Sequence, residues 1–276
     1  MPRSKRIILT KEEIPDSLME GIHDHSIVLF GYRELPAMPV HSGTGTLVRF
    51  GNSRYILTAR HCAERLLDYE QVCLPVRSGG PPLVIRRLDP IYIGERKNDP
   101  WGPDLAFLPI HPVDVKNLNA KSHKIFYDLD RHGQGILREP PRLANGMWTV
   151  VGAPALLSSL KAPRELRIPL MAYKVDVKRP VTKNDFDYVE ISVALDAKNA
   201  LPTFQGLSGG GLWYTELKQD QGGDLSVVGS HRLVGCAFYE TEAKRKYRYI
   251  RCHGWRSIYE HGRSKLLRTP APTAFR

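Results

Sequence analysis

Residues 204–214, FQGLSGGGLWY, place one small hydroxyl-bearing residue, Ser208, among Gly206, Gly209, Gly210 and Gly211 before climbing into an apolar run. Glycine loses more conformational freedom on folding than any other residue, so four of them around one serine mark a backbone of demanding geometry. A serine hydroxyl is a weak nucleophile at neutral pH and acts only beside a base, usually a histidine, that a third group holds in place. The stretch therefore directs attention to a histidine and a carboxylate at comparable positions elsewhere in the chain.

Strand-like runs surround it. SIVLF (26–30), GTLVRF (45–50), RYILTA (54–59), QVCLPV (71–76), LVIRRL (83–88) and LAFLPI (105–110) are short, rich in branched or aromatic residues and separated by Gly, Pro, Asn or Asp. A polar stretch with His and Pro, 111–142, precedes a second series: WTVVGA (148–153), LMAYKVDV (170–177), YVEISVAL (188–195), GGLWY (210–214), LSVVG (225–229), LVGCAFYE (233–240) and YRYIRC (247–252). Two β units of similar size are expected, since closure of many short strands into barrels or sandwiches removes exposed edges. Helix is scarce in this reading, apart from a C-terminal one over 255–267.

His61 follows the strand RYILTA and opens the helical-looking CAERLLD. Asp104 stands at the mouth of the strand LAFLPI. Each feature alone has a plain structural reading: a flexible Gly-rich loop, a packed histidine, an Asp in a turn after Gly-Pro. Other candidates lack the setting, because Asp99 sits in the turn-rich KNDPWG and His23, His25 and His41 follow no strand-to-helix junction.

Together, LTARHC, DLAFL and GLSGG resemble the motifs of the trypsin and chymotrypsin family of serine proteases, in the family's order His, Asp, Ser and with separations of 43 and 104 residues. The resemblance extends over roughly 25–265. It implies an all-β fold of two antiparallel six-stranded barrels with a C-terminal α-helix. The parts would be an N-terminal extension (1–24), a first barrel (25–120), a linker (121–142), a second barrel (143–254) and a helix with a tail (255–276). It also implies that Ser208 is the nucleophile, His61 the general base and Asp104 the group that orients the imidazole. The backbone N–H groups of Gly206 and Ser208 would form the oxyanion hole. Pro202 and Thr203 would lie at the floor of the substrate pocket, with Phe238, Tyr239 and Glu240 on its wall.

This chain departs from the family at three places. Leu207 stands where digestive members carry an Asp that pairs with a freshly cut N-terminus, so activation by that switch is not expected. The second cysteine of the disulfide beside the catalytic His is missing near Gly43, which leaves Cys62 a free thiol. No Asp occupies the pocket-floor position that gives trypsin its preference for Arg and Lys; Glu240 would favour a basic side chain only if it pointed inward.

The remaining composition is that of an ordinary globular protein, with 42% hydrophobic and 25% charged residues. Forty Lys and Arg against 29 Asp and Glu give +11, but no nucleic-acid reading module accompanies the charge. Cys62, Cys73, Cys236 and Cys252 form no metal-site spacing and read as buried reduced thiols. The N-terminal apolar stretch is too short for a secretory segment and no run is long enough for a membrane span, so a cytoplasmic location is expected. The expected partners are a protein or peptide substrate and a regulatory protein, with no cofactor, metal or membrane. A trypsin-like fold that only binds protein, a viral-type polyprotein-processing protease and nucleic-acid binding through the basic surface are the alternatives.

Overall fold

The computed structural model describes residues 8–9, 21–33, 38–69, 71–76, 82–86, 89–95, 99–142, 146–157, 159–162, 165–167, 169–178, 180–194, 203–219, 225–227, 229–242 and 246–270. Two eight-stranded sheets dominate. In the first, the path runs Leu83–Ile85, Gln71–Leu74, Ser26–Arg33, Met38–Phe50, Ser53–Thr58, Leu105–Pro109 and Ile91–Ile93, all antiparallel. The eighth strand, Tyr127–Asp128, lies parallel to Met38–Phe50 at Val48 and Arg49. The second path runs Met171–Lys174, Met147–Gly152, Gly211–Thr215, Arg232–Glu240, Tyr247–His253, Phe186–Ala194 and Asp176–Val177, with Val181–Lys183 also on Phe186–Ala194.

All thirteen runs read from the sequence contain strand, because alternation of β-branched and aromatic residues fits a pleated surface buried on one side. Ser26–Arg33 and Met38–Phe50 extend well beyond the apolar cores that marked them. Trp213, Tyr188 and Phe107 are the bulkiest of the fully buried side chains. Each contributes on the order of 2–3 kcal/mol through the area it removes from water.

The scarcity of helix is corrected. The connecting region holds two ten-residue helices, Pro112–Lys121 and Leu129–Arg138. His111 and Asp128 cap them, accepting from the backbone N–H groups of Val113 and Arg131, and Pro112 sits in the first turn of its helix, where its missing N–H costs nothing. Among the described residues no helix is long and apolar enough to cross a membrane. The N-terminal extension contributes a strand, Ile8–Leu9, which pairs with Leu225–Val227. The end of the tail, 271–276, lies outside the described residues.

The C-terminal helix is present. It widens to π-type geometry over Ser257–Gly262 before the α-helical turn Arg263–Arg268. Buried Asp187 anchors its start, accepting from the N–H of Arg256 at 3.0 Å and of Ser257 at 2.6 Å and from Ser257 Oγ at 2.7 Å. Replacing Asp187 with Ala is expected to cost about 2–4 kcal/mol, because it orphans buried donors at a helix start; the midpoint of denaturant unfolding measures it, and an unchanged midpoint would refute the anchoring role.

Candidate active site

Register brings the first two candidates together. Thr58 lies opposite Ala106 in neighbouring antiparallel strands, so the chain leaving Thr58 and the chain entering Leu105 meet at one sheet edge. There His61, in the first turn of the helix Arg60–Leu66, donates its backbone N–H to Asp104 Oδ1 at 2.9 Å, and its Nδ1 lies 2.7 Å from Asp104 Oδ2. Burial acts to lower the His61 pKa, and the hydrogen bond to Asp104, aided by Cys62 and by the carboxylate charge, overcomes it and raises the pKa well above its ordinary value. Burial acts to raise Asp104, and the bonds and charge of His61 reverse that, leaving its carboxyl below the usual range. Asp104 thus holds Nδ1, which leaves Nε2 as the ring nitrogen able to exchange a proton with another group.

Ser208 arrives from the second sheet. Its loop precedes Gly211–Thr215, whose Gly211 pairs with Cys236, so it abuts the strand carrying Ala237 and Phe238. Six backbone and side-chain bonds fix the loop: Leu207 N–H to Phe204 O, Gly210 N–H to Leu207 O, Gly209 N–H to Ala237 O, Ala237 N–H to Gly210 O, Thr44 N–H to Ser208 O and Thr44 Oγ1 to Gly206 O, all 2.7–2.9 Å. The glycines are required. Gly206 has φ +97, and a Cβ there would lie 2.5 Å from Ala153 O; Gly209 has φ +87, and its Cβ would lie 1.9 Å from Thr44 O.

Among the described residues, the backbone N–H groups of Gly206 and Ser208 have no acceptor. The Ser208 hydroxyl makes a long 3.5 Å hydrogen bond to Phe238 O, and no hydrogen bond joins it to His61. Phe238 and Tyr239 line a cleft of about 270 Å³ together with His61, Asp104, Arg60 and Asp99. The structure therefore joins His61 to Asp104 and sets Ser208 beside the wall of their cleft, with its hydroxyl turned to that wall.

Leu207 is buried and would collide with a side chain at Gly152, so its site is apolar and filled. Cys62 is a free thiol whose Sγ donates to Ser208 O at 3.5 Å, and Ser42, next to Gly43, donates its Oγ to Cys62 O at 3.0 Å. All four cysteines are buried and free.

The expected pocket residues are only partly assembled. Pro202 lies outside the described residues. Thr203 Oγ1 donates to Glu240 Oε2 at 3.0 Å, while Glu240 Oε1 accepts from Phe204 N–H at 3.0 Å and from Arg248 Nη1 at 2.5 Å. Both carboxylate oxygens are thus engaged, which removes the expectation that Glu240 recruits a basic substrate side chain. Phe238 lines the cleft as expected, with its ring buried against His253, centroids 4.8 Å apart. Tyr239 is 40% exposed, with the Arg251 guanidinium over its ring.

Two contributors escaped the sequence reading. Fully buried His253 accepts the backbone N–H of Asp104 on Nε2 at 2.9 Å, and burial pushes its pKa down to about 3, so it stays neutral. Fully buried Thr44 takes Ala153 N–H on Oγ1 at 2.9 Å in addition to its bonds to the loop. Only the strand-end placement of His253, after YRYIRC, was available as a signal. Among the described residues no group of three or more His, Cys, Asp or Glu is arranged to hold a metal ion. No family model and no curated protein matches the chain.

Asp104→Asn is expected to lower the His61 pKa, because the carboxylate that opposes burial is removed; NMR titration of the imidazole reads this directly. The sign for stability follows: the raised His61 contributes fully below about 6.5 and loses its contribution as pH rises through its folded pKa. Depressed Asp104 contributes fully above about 3.9 and loses its contribution as pH falls through its own folded pKa. The stability gap between wild type and Asp104→Asn should therefore be widest between those two values, and a pH-independent gap would count against the pairing. Thr44→Val preserves shape but strands Ala153 N–H and Gly206 O, at an expected cost of about 2–4 kcal/mol by calorimetry; Thr44→Ser should retain most of the stability.

Proposed function

We propose that the chain is a serine endopeptidase built on two trypsin-like barrels, the first ending in His61 and Asp104 and the second presenting Ser208. The observation that carries this reading is the Asp104 carboxylate bound twice by His61, with a glycine-enforced serine turn clipped beside it. Ser208 Oγ attacks the scissile carbonyl carbon and passes its proton to His61 Nε2. The carbonyl π electrons move to oxygen, where the N–H groups of Gly206 and Ser208 stabilise the developing charge. Collapse expels the amine, which takes the proton from His61 and leaves an acyl-enzyme; a water activated by the same imidazole then releases the acid. These steps require the Ser208 hydroxyl to leave Phe238 O and meet His61 Nε2.

The filled apolar site of Leu207 favours competence without a cut N-terminus, through constitutive readiness or a regulatory partner. Narrow substrate choice suits a protease in a reducing, cytoplasmic compartment, which four free cysteines accommodate. Bacterial defence and viral polyprotein processing are both contexts for such chemistry. The second reading, a catalytically silent fold that binds protein, is favoured by the missing bond between Ser208 and His61. A fluorophosphonate probe decides between them: labelling of the wild type, abolished in Ser208→Ala and reduced roughly 1,000-fold or more in His61→Ala, is expected for the protease, whereas an unlabelled wild type selects the silent fold.

A further inference from the structure

A second cleft, of about 490 Å³, opens at the seam where the connecting region crosses the first sheet. It lies at the far end of the strand Ser53–Thr58 from His61. Arg54 stands near that strand's start, so the two sites are separated by about 15–20 Å at the usual rise per residue. Its cations come from four elements: Arg49 from the strand Met38–Phe50, Arg54 from the next strand, Lys124 from the connecting chain and Arg131 from the first turns of the helix Leu129–Arg138. The single lining carboxylate, Asp128, is already occupied by Arg49 and by the N–H of Arg131.

The other three cations have no ion-pair partner among the described residues. Arg54 bonds the backbone oxygens of Gly51 and Ser53, at 3.5 and 3.3 Å, with its guanidinium 5.7 Å from the Phe126 ring centroid, and Lys124 Nζ donates to His23 O at 2.7 Å. Burial, reinforced for Arg54 by neighbouring Arg49, lowers the pKa of both. The imidazoles of His25, His132 and His231 at the same cleft are also shifted down, in each case by burial first, with Arg131 adding to it at His132 and His25 at His231. Asp128 and Asp24 offset the effect of burial on Arg54 and Lys124 only in part, and an entering anion would remove more of the cost of partly desolvated positive charge.

We propose that this cleft binds the phosphoryl group of a small phosphorylated ligand. Cations converging from several directions suit a tetrahedral group carrying up to two charges and three acceptor oxygens, whereas a single planar carboxylate would engage one fork. The volume is that of a small-molecule site and exceeds the needs of a bare ion. His132, stacked on Tyr127 with centroids 4.6 Å apart, and Phe126 supply flat faces beside the charges on which a ring of the same ligand can lie. The assignment is independent of the protease reading, because none of these residues belongs to the Ser208 cleft.

Isothermal titration of the full chain with inorganic pyrophosphate, ATP and citrate at matched ionic strength tests it. Saturable binding of either phosphate compound, weakened about tenfold by Arg54→Gln and by Lys124→Gln, is the expected result. Pyrophosphate binding as well as ATP assigns recognition to the phosphoryl group alone; ATP without pyrophosphate assigns a contribution to the ring. Arg131→Gln, at an exposed helix position, keeps the test valid if the other variants unfold. No binding at millimolar concentration, equal binding of citrate, affinity unchanged in all three variants, or binding of a single-stranded oligonucleotide without either small phosphate would overturn the assignment.

Discussion

Thr44 is the fastening on which the candidate site depends. It belongs to the first sheet, yet its N–H bonds Ser208 O, its carbonyl accepts from Thr58 Oγ1, and its hydroxyl both donates to Gly206 O and accepts from Ala153 N–H. Every polar atom of a fully buried residue is therefore used, and two of the partners belong to the serine loop. Two sheets that share no strand-to-strand ladder at this point are joined instead by this threonine, with the Cys62 thiol also donating to Ser208 O. Such a junction is strong when complete, because each bond is shielded from water, and weak when any member is lost.

The strand Arg232–Glu240 ties together the rest of the cleft. Phe238 offers its carbonyl to the Ser208 hydroxyl and its ring to His253, and His253 in turn fixes the backbone at Asp104. Two residues later, Glu240 locks the loop at Thr203 and Phe204 against Arg248. Asp104 and the serine loop thus lean on one stretch of backbone, His61 being held in turn by Asp104.

Much of this was legible in the chain. The β runs announced themselves through alternation and turn residues, and FQGLSGGGLWY disclosed its strained turn because only glycine tolerates φ +97 and +87 in such crowding. The pairing of His61 with Asp104 followed from strand ends and a known order of motifs. The helix at 112–121 was obscured because its polar composition leaves almost no apolar stripe and its start is set by a cap, whereas the amphipathic helix at 129–138, which buries Leu129, Gly133 and Ile136, lies inside a stretch whose His and Pro read as a connection. Thr44 and His253 were hidden for a different reason: their roles rest on contacts across 109 and 149 residues of sequence, and no local pattern records such distances. Glu240 shows the same limit, since its orientation depended on Arg248 across a hairpin.

The two crossing strands bear on how the polypeptide could ever be divided. Ile8–Leu9 belongs to the front of the chain but completes a ladder with Leu225–Val227, while Tyr127–Asp128, beyond the first barrel's expected end, lies on Met38–Phe50. The halves are laced together like overlapping lapels. A gene split before residue 127 would leave one fragment missing an edge and the other carrying a stray one, so fragment complementation or domain shuffling would have to place its break after the helix Leu129–Arg138 and reunite both pieces to restore the lacing.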